Sequence, residues 1–96
     1  MMILITYDIA ITQKAGATRL RRVAKLCQDY GTRVQNSVFE CIIDYQTFLK
    51  LKKLILNELD LSIDSVRFYQ LGNSFQNRVE HFGTKQKWDL TDTLII

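Results

Sequence analysis

Arg33-Val34-Gln35-Asn36-Ser37-Val38-Phe39-Glu40-Cys41-Ile42-Ile43 is the stretch whose reading decides the fold. Arg33 to Gln35 alternates polar and apolar, as a half-buried strand does. Asn36-Ser37 is a turn-type pair, and from Val38 the strand character resumes. Two short strands joined at or near Asn36-Ser37 account for this pattern; one strand with a bulge is the alternative.

Helical patterns flank this segment. On its N-terminal side Thr18 is placed to cap a helix running to about Tyr30. Leu20, Val23, Ala24 and Cys27 make one apolar stripe, and Arg19, Arg21, Arg22 and Lys25 take the other face. Gly31 suits a helix stop, because glycine accepts the left-handed conformation. Residues 10–16 read as a loop. Before them Met2 to Ile9 is nearly all apolar and reads as a strand ending near Asp8.

On the C-terminal side Phe48, Leu51, Leu54, Ile55 and Leu59 keep helical spacing from Gln46 to Leu59. Asp60 to Asp64 connects to a strand over Val66 to Leu71, ended by Gly72-Asn73. Arg78 to Phe82 is expected to form one more short strand before Gly83. The remainder carries Trp88 and the apolar end Leu94-Ile95-Ile96.

The order is β-α-β-β-α-β with an appended segment. It predicts the α+β class, a ferredoxin-like sandwich with two helices on one face of a four-stranded antiparallel sheet and an additional C-terminal strand or tail. Residues 1–83 would form the domain. Residues 84–96 would form a tail docking on a partner protomer or partner protein. No helix is left for the second sheet face, although the strands are apolar on both faces. A homodimer packed sheet to sheet is therefore expected.

Composition narrows the classes. The 96 residues fit one domain, and a domain this small gains from a partner subunit. No apolar run approaches ~18 residues, so a membrane span is excluded. Met1 to Ile5 is too short, and lacks the basic flank, for a signal peptide. Cys27 and Cys41 form no CxxC and read as buried thiols of a reducing, cytoplasmic compartment. His81 is the only histidine, so a zinc site would lack ligands, and it reads as a surface residue.

The net charge of +3 is uneven. Between residues 12 and 33, Lys14, Arg19, Arg21, Arg22, Lys25 and Arg33 face Asp29 alone, a local excess of five. Such a cluster is either a solvated helix face or a surface that follows nucleic-acid phosphates, and a dimer would double it.

Asp8 is a charge at the end of an apolar strand. It reads as a turn-forming carboxylate or as a ligand for a hard cation such as Mg²⁺ or Mn²⁺. One carboxylate does not make a metal site. A two-fold axis beside the first strand would bring two Asp8 copies together, enough for an ion that keeps several waters. In a regular pleat Tyr7 points to the opposite side and packs against the sheet.

Tyr7-Asp8-Ile9, the basic first helix and above all Gly31-Thr-Arg-Val-Gln-Asn-Ser-Val-Phe-Glu40 resemble the CRISPR-associated protein two family, small ferredoxin-like proteins of the spacer-acquisition machinery. Arg67-Phe-Tyr-Gln-Leu71 and Val79-Glu-His-Phe-Gly83 resemble its closing strands. The resemblance implies a homodimer and a metal-dependent endonuclease acting on double-stranded DNA, RNA or both. It also implies a place beside CRISPR-associated protein one, the integrase, on prespacer DNA. It maps the family's metal ligand onto Asp8, basic helix positions onto Arg19 and Arg21, and further positions onto Arg33 and Phe39. Asp8 and Arg33 are thus the expected catalytic residues, Arg33 for phosphate contact or transition-state charge. Lys14, Arg19, Arg21, Arg22, Lys25 and Arg33 are the expected nucleic-acid contacts. Phe39 is expected in the dimer core.

Two alternatives are a non-catalytic scaffold bridging integrase subunits on DNA and a toxin-type ribonuclease of the same fold. A single-stranded-RNA reader shares the topology, but Val38 to Ile43 is not the aromatic strand such a module needs.

Overall fold

A computed structural model of the chain describes residues 1–73 together with residues 80 and 82. The elements are β1 (Met2–Asp8), α1 (Lys14–Tyr30), β2 (Thr32–Gln35), β3 (Val38–Ile42), α2 (Tyr45–Glu58) and β4 (Ser65–Gly72). The four strands form one sheet in the order β2-β3-β1-β4, and every pairing is antiparallel. This is the expected ferredoxin-like α+β arrangement. The expected strand at Arg78 to Phe82, the tail over 84–96 and the role of His81 lie outside the described residues, apart from Glu80 and an exposed Phe82.

β1 is central because its run of apolar and β-branched residues suits a strand paired on both edges. Its pleat divides it between two environments. Ile3, Ile5 and Tyr7 turn toward the helices and join Phe39 and Cys41 of β3. Val23 and Cys27 of α1 and Phe48, Leu51 and Ile55 of α2 close this core from above. Phe68 of β4 meets Phe48 edge-on, with ring centroids 5.7 Å apart. The alternate residues Leu4, Thr6 and Asp8 lie on the other face. They share it with their partners Tyr69, Arg67 and Ser65 on β4.

The β2–β3 hairpin turns at Asn36-Ser37, with Gln35 paired to Val38. It also contains an irregularity between Arg33 and Gln35, so the turn and the bulge coexist.

Phe39 differs from its expected place. It is fully buried inside the protomer, stacked with Tyr7 at 6.2 Å between centroids, and so is not in a dimer core. The register explains this, because Phe39 pairs with Ile5, a helix-side residue.

Helix boundaries differ too. α1 begins at Lys14, and Thr18 is not its cap: the Thr18 hydroxyl donates back to the Lys14 carbonyl at 3.4 Å. The extra turn is permitted by Gly16, where a Cβ would run into the Ala10 carbonyl oxygen. α2 is capped by Asp44, whose carboxylate accepts the Thr47 N–H at 2.7 Å. Gly31 is extended rather than left-handed, with φ −160°. Glycine is needed there for a close approach, since a side chain would meet the Glu40 carbonyl and the Cys41 sulfur.

Both cysteines are free and buried. Burial above all pushes the Cys27 thiol up to about 12 and the Cys41 thiol up to about 11. No described helix is long and apolar enough to cross a membrane.

Candidate nucleic-acid and metal site

Asp8 ends β1 with an exposed side chain on the sheet face opposite the two described helices. Its cross-strand partner is Ser65. Next along that face come Thr6 and Arg67, whose guanidinium donates to the Tyr69 hydroxyl at 3.3 Å. That contact raises the Arg67 pKa further. Arg67 is the cation the strand register brings nearest to Asp8's row. The alternation of Val66 and Phe68 was the available signal for it, since it sends Arg67 and Tyr69 outward.

The strand end is held from beneath by Asp64, whose side chain is wholly buried. One of its oxygens accepts the Arg19 Nε–H at 2.7 Å, and the other accepts the Ala10 N–H at 3.0 Å. The Asp60 N–H donates to it as well, at 2.9 Å. One carboxylate thus joins the chain leaving β1, helix α1 and the loop entering β4. The hydrogen bond from Arg19 is the main reason its pKa falls below the usual carboxylate value. Neither residue's spacing in the sequence signals this pair, because 45 residues separate them.

The expected catalytic residues do not meet within one protomer. Arg33 pairs with Phe39 and lies with it on the helix side of the sheet, the guanidinium 5.2 Å from the Phe39 ring centroid. Asp8 lies on the reverse side. Tyr7, the neighbour of Asp8, turns toward Arg33 and donates to the Asn36 carbonyl at 3.5 Å. Burial raises the Tyr7 pKa, with nearby Cys27 adding to it and Arg33 working against it.

The six cations fall into two groups. Arg19 is bound to Asp64, Arg22 to Glu58 at 3.7 Å and Lys25 to Asp29 at 2.8 Å. Lys14, Arg21 and Arg33 form no ion pair among the described residues. No group of three metal-ligating side chains occurs among the described residues. Among the described residues of one protomer the donor set at this end is a single carboxylate with a nearby serine, whereas Mg²⁺ is usually held by one or two carboxylates together with waters and phosphates.

Among the described residues, the fold and this site define a small βαββαβ protein with both helices on one sheet face, an exposed carboxylate at its central strand end and a basic first helix. Residues 1–79 match the family described as CRISPR associated protein Cas2. The chain is 53% identical over 96 residues to the CRISPR-associated endoribonuclease Cas2 of Chlorobaculum tepidum, covering 100% of both chains. It is 50% identical over 95 residues to the CRISPR-associated endonuclease Cas2 of Halalkalibacterium halodurans, covering 99% of each. The crystal structure of Streptococcus pyogenes Cas2 at pH 6.5 superposes with a TM-score of 0.75 at 52% identity, over 86% of this chain and 100% of that one. The chain belongs to the Cas2 family of CRISPR-associated proteins.

Proposed function

We propose that this protein is a homodimeric, metal-dependent endonuclease of CRISPR adaptation that binds duplex DNA, with RNA as the alternative substrate. The observation that carries this reading is Asp8, an exposed carboxylate on the sheet face opposite the two described helices. Sheet-to-sheet packing about a two-fold axis sets two Asp8 copies side by side and supplies the second carboxylate. Mg²⁺, or Mn²⁺ in its place, would then polarise a phosphodiester and lower the pKa of a water.

The chain's own residues do the rest. β1 pairing on both edges and the Asp64 network fix the position of Asp8. Arg67, on the same face, offers positive charge to the scissile phosphate. Arg33, on the other side of the sheet, contributes to holding nucleic acid, and the catalytic cation is Arg67. Among the described residues Lys14, Arg21 and Arg33 have no ion-pair partner and can take phosphates, and the pairs of Arg22 and Lys25 are surface pairs, which are weak. Arg19 has a positioning role through Asp64. Partners in this reading are double-stranded DNA and the integrase CRISPR-associated protein one, in the cytoplasm, with residues 84–96 docking on a partner.

Asp8→Asn should abolish Mg²⁺-dependent cleavage of duplex DNA and RNA while leaving circular dichroism and duplex affinity unchanged. Equal cleavage by the variant under metal-controlled conditions would remove the site and leave the scaffold reading, which uses the cations without Asp8.

A further inference from the structure

Between α1 and the β2–β3 hairpin lies a cleft of about 580 Å³, on the helix side of the sheet. Its volume falls within the roughly 300–1,000 Å³ typical of small-molecule sites. It is two-natured. Ala17, Leu20 and Ala24 form an apolar floor, with the Tyr7 ring at the inner end. Arg21 and Arg33 reach it from opposite walls, helix and hairpin, and neither has an acidic partner among the described residues. Lys25 adds a third cation, and its Nζ rests on Asp29, a pair weak enough to exchange. Among the described residues, no carboxylate lines the cleft.

An apolar floor between two facing guanidinium groups suits a flat, weakly polar group attached to an anion. Arg carries planar donors matched to phosphate oxygens, and the floor offers a surface for a nucleobase. We propose that this cleft binds one nucleoside monophosphate group, its phosphate between Arg21 and Arg33 and its base on the Ala17-Leu20-Ala24 floor. The group is either a free mononucleotide or the phosphorylated end of a strand. The site is separate from Asp8, and its existence does not depend on metal binding or cleavage.

Calorimetric titration of the full chain without metal tests this. The probes are adenosine 5′-monophosphate, adenosine, inorganic phosphate and a tetranucleotide with or without a 5′-phosphate. Adenosine monophosphate should bind, and more tightly than adenosine or phosphate alone. Arg21→Ala and Arg33→Ala should each weaken it by about tenfold, the usual worth of a charge-assisted contact. Ala17→Leu, at an exposed position, should fill the floor and weaken the nucleotide but not phosphate. Lys53→Ala, an exposed cation on α2, should change nothing. If the phosphorylated tetranucleotide outcompetes the mononucleotide, and its unphosphorylated form does not, the source is a strand end; the reverse order assigns a free nucleotide. No binding at millimolar mononucleotide would overturn the proposal, as would binding indifferent to both arginine changes or to Ala17→Leu.

Discussion

Replacing Phe39 by alanine tests how the two sheet faces are used. Phe39 is 0% exposed, stacked on Tyr7 and covered by the Arg33 guanidinium. Truncating a fully buried phenylalanine costs about 3–5 kcal/mol, lost transfer energy plus a cavity. In a domain near 100 residues each kcal/mol moves the thermal midpoint by about 4–8 °C. The midpoint should therefore fall by about 12 °C or more. The contrast is Ile42→Asp on the face opposite the helices, where Ile42 is 41% exposed in the protomer. In a chain diluted until it is monomeric that change should cost less than about 1 kcal/mol. At higher concentration it should weaken association by burying an unpaired charge between the sheets. Circular dichroism melts at two concentrations and sedimentation equilibrium separate the effects. An unchanged Phe39→Ala midpoint together with a dissociated dimer would refute the face assignment and move Phe39 to the interface. Equal destabilisation of dilute chains by both variants would refute it as well.

Further outcomes follow from single sites. Asp64 titrates below the ordinary value of 3.8 in the folded chain, so its contribution is intact above that value and is lost as pH falls through the folded pKa; melts from pH 6 to pH 2 should show an acid loss of stability that Asp64→Asn flattens. Gly31→Ala should destabilise by about 1–3 kcal/mol in chemical denaturation, because the new methyl must displace Glu40 backbone or the Cys41 sulfur. An unaltered denaturation midpoint would argue against that close approach. Burial lifts the Cys41 thiol to about 11 and the Cys27 thiol to about 12, so at pH 8 iodoacetamide should alkylate native Cys41 about a hundredfold and native Cys27 about a thousandfold more slowly than in the unfolded chain, as read by intact mass.

The elements were legible wherever local pattern and tertiary environment agree. The turn pair Asn36-Ser37 between two strand-like runs marked the hairpin, and the spacing of Phe48, Leu51 and Ile55 marked α2. The start of α1 was hidden because its first turn has no apolar stripe, and Thr18 imitates a cap. What makes Lys14 to Ala17 helical is the fit of Gly16 against Ala10, a contact outside the helix. Gly31 was found as a boundary for a different reason from the real one: close packing on β3, not backbone handedness.

At the site, Asp8 and its opposition to Tyr7 followed from strand parity alone. The separation of Arg33 from Asp8 did not. It requires knowing that Arg33 pairs with Phe39 and Phe39 with Ile5, a register carried across three strands. The Arg19–Asp64 pair was invisible for the same reason, and an arginine counted as surface charge turned out to anchor the strand end. Arg67 could have been recovered by extending the parity argument to β4.

The central claim is that two chains share one ion through their Asp8 carboxylates. Titrating Mn²⁺ into the full-length protein, with free Mn²⁺ followed by its electron paramagnetic resonance signal, measures this directly. The expected result is one ion per two chains in the wild type and none at the same affinity in Asp8→Asn. One ion per chain, or a stoichiometry that Asp8→Asn leaves unchanged, would contradict it.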